Sequence, residues 1–105
     1  MREYFALFER FAALCREHHA RLVLVYFPAY TQVYTDEDSF VMRDRLRAAC
    51  DRLGVAFLDL TEALRAHGRE QPLHFAPADF HLNAAGNALF ARTLAQFLVE
   101  RGLVK

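Results

Sequence analysis

The sequence lacks a charge excess, a long apolar run, a glycine-rich loop and a rich supply of cysteine or serine. Each shortage removes a class of function. Lys plus Arg and Asp plus Glu number 13 each in 105 residues, so the formal net charge is zero. Proteins that grip phosphate backbones carry a basic patch. The one basic cluster here, Arg16, His18, His19 and Arg21, reads as a solvated helix end, so no nucleic-acid partner is expected. No stretch approaches the ~20 apolar residues that span a bilayer, and no secretory leader pattern opens the chain. Without a Gly-rich phosphate loop a nucleotide is not expected, and no other cofactor is. The two cysteines, Cys15 and Cys50, fall at apolar positions of separate predicted helices and read as buried free thiols. The single serine, Ser39, sits in an acidic loop ahead of a predicted helix, where capping is its natural role. None of this fixes a cellular location.

What remains is an ordinary globular balance, 54% apolar and 25% charged, in a length that suits one small domain over residues 1–105. Residues 4–19 place Phe5, Phe8, Ala12 and Cys15 at helical spacing. Residues 22–27 are continuously apolar up to Pro28, as in a strand covered on both faces. Residues 29–39 read as a polar loop, with Tyr30 and Tyr34 as candidates to line a cleft. A helix over 39–53 follows, with Ser39 or Asp38 as its cap and Gly54 as its stop. Residues 55–60 form a second strand, with Asp59 in a capping or loop role, and a short helix over 61–67 stops at Gly68. An extended segment, 73–81, leads to a last helix over 84–101, capped by Asn83 and closed by Gly102.

The alternation of helix and strand predicts an α/β fold with parallel strands and right-handed crossovers. Two strands make a poor sheet, because the inner edge stays unpaired. The chain therefore reads as half of a doubly wound domain. The same open edge offers a route to self-association.

Ligands of open α/β sheets bind beyond the carboxyl ends of the strands, and residues 75–83 can return to that end. This segment holds a carboxylate, Asp79, two positions before an imidazole, His81, with a helix start directly after. A carboxylate that accepts the Nδ1 proton fixes the tautomer and stabilises the imidazolium while Nε2 takes a proton from a nucleophile. Asn83 would fix where the loop ends, and Gly86 would allow a close approach of the helix.

Three blocks, in order, resemble the SGNH (GDSL-type) hydrolases: residues 22–34 (LVLVYFPAYTQVY), 54–64 (GVAFLDLTEAL) and 73–91 (LHFAPADFHLNAAGNALFA). The resemblance implies a flavodoxin-like three-layer α/β/α fold, of which this chain is roughly the C-terminal half. It implies a serine esterase or acyl hydrolase with His81 as general base and Asp79 as its orienter, and no cofactor. The Asp-x-His spacing departs from the family's commoner Asp-x-x-His and is similar to subfamilies acting on acetylated polysaccharides, so the implied substrate is a small-molecule or carbohydrate ester. The family's Gly-Asp-Ser and Gly-x-Asn-Asp blocks are absent. The nucleophile is then expected from sequence upstream, and the isolated chain is expected to be inactive.

Two other readings stay open. His74, Asp79 and His81 are residue types that suit zinc. The chain also reads as a non-catalytic flavodoxin-like interaction module.

Overall fold

The computed structural model describes residues 2–35, 39–75 and 81–104. The elements in order are α1 (Arg2–Glu17), β1 (Val23–Tyr26), α2 (Tyr30–Tyr34), α3 (Val41–Leu53), β2 (Ala56–Asp59), α4 (Thr61–Gly68) and α5 (Ala84–Glu100). β1 and β2 pair in parallel as a two-stranded sheet, so the mixed α/β expectation of a partial flavodoxin-like fold holds. The strands are less buried than a doubly covered sheet requires. All four residues of β1 are half-buried, and in β2 only Leu58 is buried. No helix among the described residues is long and apolar enough to cross a membrane.

The chain divides into two compact units, residues 1–25 with 40–57, and residues 26–39 with 58–105. In the first, α1 turns Ala12 inward, and α3 contributes Leu46, Ala49 and Cys50. Arg52 reaches Glu9 at 2.8 Å, a half-exposed pair of the kind that contributes less than about 1 kcal/mol. Gly54 closes α3 at φ 69°, a left-handed conformation that costs a side chain 1–2 kcal/mol or so. The cap at the other end differs from expectation. Phe40 stands there with no side-chain hydrogen bond, and Asp38 lies outside the described residues. Ser39 instead offers its carbonyl to Gln32 Nε2 at 2.8 Å, so the chain is still tied to another segment where the helix was expected to begin.

α1 also exposes Tyr4, Leu7, Phe11 and Leu14, each about half open to solvent and spaced three or four apart. These residues form an apolar stripe distinct from the inward face.

In the second unit, the expected polar loop contains a helix. α2 forms because Gln32, itself buried, satisfies the turn that precedes it. Its Oε1 accepts the Ala29 N–H at 2.7 Å and the Tyr26 hydroxyl at 2.9 Å. Its own carbonyl accepts Arg65 Nε from α4. α4 starts where Asp59 accepts both the backbone N–H and the hydroxyl of Thr61, as its capping role predicts. Leu60, Thr61 and Leu64 are buried there, and α5 adds Leu89. α5 runs out at Glu100, and Gly102 (φ 66°) follows as the expected stop.

Candidate functional site

Residues 73–75 and 81–83 pair as a short antiparallel ribbon. His74 and Leu82 form the bridge, flanked by Asn83 N–H to Leu73 O at 2.8 Å and Phe75 N–H to His81 O at 3.1 Å. Asn83 is the fastener. Its Oδ1 accepts the Gly86 N–H at 2.9 Å, capping α5, while its Nδ2 donates to Pro72 O at 3.0 Å. One side chain thus fixes both the helix start and the strand beside it, which is why an amide serves better than a hydroxyl at this cap.

Gly86 completes the joint. A Cβ there would lie 2.2 Å from Leu73 O, so α5 can approach the ribbon only without a side chain at this position. Leu73 itself is 1% exposed.

Side chains alternate across a ribbon, and directly opposed residues share a face. His74 therefore faces with Leu82, and His81 faces with Phe75, on the other side. Exposure does not sort by face, since Leu73 and His74 are both buried while His81 and Phe75 are exposed. Asp79 lies outside the described residues. Among the described residues no group of three His, Cys, Asp or Glu side chains could hold a metal ion, and the Asp79 of the zinc reading lies outside them.

His74 already has a partner. The Tyr34 hydroxyl lies 2.8 Å from its Nδ1, and the same oxygen accepts the Leu73 N–H at 2.9 Å. One lone pair of the hydroxyl is taken by Leu73, and the direction of the bond to Nδ1 follows the tautomer of the ring. Burial pushes the pKa of His74 below the usual histidine value.

Three rings meet at this point. Tyr34 and Tyr30 both stand edge-on to the imidazole, at 5.2 and 5.7 Å between centroids, and Tyr30 tilts against Tyr34 at 4.6 Å. With residues 68–72 they line a cleft of about 390 Å³. Tyr30 and Tyr34, candidates to line a cleft, both line this one. The roles of Gln32 and of the Tyr34–His74 pair were missed. Their only trace in sequence was the Gln-Val-Tyr run after Pro28, which marks a position and not a partner.

Neither a curated protein nor a solved structure matches the chain. The model of the GDSL-like Lipase/Acylhydrolase family matches residues 2–89, a span that takes in Asp79, His81, Asn83 and Gly86. A match over that much of the sequence settles the membership: the chain belongs to the GDSL-like lipase/acylhydrolase family of hydrolases.

Proposed function

We propose that the chain carries the base half of a serine acyl hydrolase, with His81 as general base and Asp79 as the carboxylate that orients it. The observation behind this reading is the setting of His81. It is exposed, on a ribbon that Asn83 and Gly86 lock to the start of α5, inside the span matched by the family. A base must hold its position while a proton moves, and a fastened ribbon limits the loss of alignment.

In the proposed cycle, Asp79 accepts a hydrogen bond from His81 Nδ1–H and stays ionised. Nε2 takes the proton of a serine hydroxyl as its oxygen attacks an ester carbonyl, then returns it to the departing alcohol. Water repeats the sequence to release the acid. Ser39 is not that serine, since Asp38 and Glu37 precede it where the family's block has Asp and Gly, and its carbonyl is bound to Gln32. The nucleophile and the oxyanion donors come from another segment or chain, and the substrate is a small-molecule or carbohydrate ester.

The test measures p-nitrophenyl acetate hydrolysis by the chain joined to its nucleophile-bearing segment. His81→Ala is expected to lower kcat at least about a thousandfold, and Asp79→Asn by roughly 10²–10⁴, with folding unchanged. Ser39→Ala should leave turnover as it was. Near-normal turnover by the His81→Ala protein would remove the assignment.

A further inference from the structure

The His74 cleft is not the acyl site proposed above. His81 is not among the residues that line it, and it is bounded by α2, the end of α4 and the turn at residues 69–72. Its volume of about 390 Å³ falls at the small end of the roughly 300–1,000 Å³ that small-molecule sites occupy. Gly68 sets one edge. A Cβ there would come within 3.2 Å of the Tyr34 ring, so the end of α4 closes on Tyr34 because that position has no side chain.

The base of the cleft is an imidazole ring. His74 is 8% exposed, its Nδ1 is held by Tyr34, and its Nε2 has no partner among the described residues. That nitrogen is not a buried unsatisfied atom either, so it has access to solvent, and its residue lines the cleft. Around it stand Arg69, which only donates, Glu70, which only accepts, and Gln71, which does both. None of these three side chains has a hydrogen-bond partner among the described residues. The remaining lining is flat and apolar: the rings of Tyr30 and Tyr34, and Pro72.

The charges decide the ligand class. One cation and one anion flank a neutral imidazole, so the lining carries no net charge and either sign of ion would meet a repelling neighbour. A purely apolar ligand would make no use of these polar groups and would cover His74 Nε2 without pairing it. The lining suits a neutral ring that both donates and accepts along its rim and has an aliphatic face to lay on aromatic carbon. A sugar ring has these properties.

We propose that this cleft is a binding site for a neutral saccharide unit, which packs on Tyr30 and Tyr34 and hydrogen-bonds to His74 Nε2, Arg69, Glu70 and Gln71. The site does not depend on His81 acting as a base, and it offers a carbohydrate a foothold outside the reacting centre. With few groups and open walls, the expected affinity is weak, with Kd of about 1 mM or above.

The experiment follows backbone amide shifts of the 105-residue chain by NMR while glucose, N-acetylglucosamine and cellobiose are titrated in separate series, with sodium acetate and phosphate as anion controls. Saturable shifts confined to residues 68–74 and 30–34 with at least one sugar, and none there with the anions, are expected. Arg69→Ala and Gln71→Ala replace exposed side chains and should leave the fold intact, each weakening binding about five- to tenfold, the loss of one hydrogen bond. Three results would overturn the proposal: no saturable shift at the cleft with any sugar, saturation by acetate or phosphate instead, or sugar binding that both substitutions leave unchanged. Because the readout is binding to the chain alone, failure here leaves the His81 reading untouched, and loss of the His81 reading leaves this one standing.

Discussion

The Tyr34 hydroxyl lies 2.8 Å from His74 Nδ1, a contact that joins residues 40 apart in sequence. The same oxygen accepts the Leu73 N–H, so one atom ties α2 to both backbone and side chain of the ribbon strand. Tyr34→Phe keeps the ring and removes that atom. A backbone donor and a ring nitrogen then lose their partner in a largely buried place, at a cost of about 1–3 kcal/mol. Urea unfolding should show a lower midpoint with an unchanged slope. A midpoint within error of the parent would mean that water replaces the hydroxyl.

Gly86 tolerates less. An alanine Cβ would sit 2.2 Å from Leu73 O, which is backbone and cannot swing aside, and 2.9 Å from a Leu82 methyl. Gly86→Ala gains a little helix propensity, under about 1 kcal/mol. It must push α5 off the ribbon, and overpacking of this kind costs about 1–3 kcal/mol or more. Asn83→Ala loses the cap, about 1 kcal/mol, together with the donor to Pro72 O. Because both changes act on one joint, their double variant should fall short of the sum. Additive losses would mean that the cap and the close approach are separate features.

Both positions were legible in the sequence, and the reason is local. A cap acts within three residues of itself, and a helix stop such as Gly54 or Gly102 acts within one turn, so residue type and spacing suffice. The strands and four of the helices were legible for the same reason, since apolar periodicity is a property of neighbours. What stayed hidden depends on partners far away in sequence. α2 exists because Gln32 bonds Tyr26, Ala29 and Ser39 at once, and a run of Tyr, Thr and Gln has no apolar period to announce it. Ser39 was expected to cap α3, but Gln32 holds its carbonyl, and the helix begins later. Of the site, residue types at His81, Asn83 and Gly86 could be named. That His74 is buried while His81 is exposed depends on the partner of His74 in α2, Tyr34, which no spacing along the chain reveals.

The two thiols should differ sharply in reactivity. Cys50 is fully buried on α3, and burial, with the charge of Asp51 adding to it, pushes its pKa up to about 11. At pH 8 only about one part in a thousand is thiolate, the reactive form. Cys15, on α1, is half-buried. A disulfide reagent such as Ellman's should therefore modify one thiol per folded chain, at Cys15, and the second only after urea is added. Equal labelling of both in the folded protein would place Cys50 at the surface.

His74 predicts how stability depends on pH. Its folded pKa lies below the ordinary value because burial disfavours the charged ring. Above pH ~6.5 both folded and unfolded states hold it neutral, and it contributes no pH dependence. As the pH falls below that value, the unfolded chain takes up a proton that the folded chain refuses, so stability is lost down to the depressed folded pKa and then levels off. His18, His19, His67 and His81 are exposed, which leaves His74 as the buried imidazole. His74→Gln, whose amide oxygen can still accept from Tyr34, removes this titration. The parent protein should lose more stability than the variant between about pH 7.5 and pH 5, measured as the difference in urea midpoints multiplied by the common slope. Parallel curves for the two proteins would show that the ring titrates alike in the folded and unfolded chain, and that its place beneath Tyr34 is open to water.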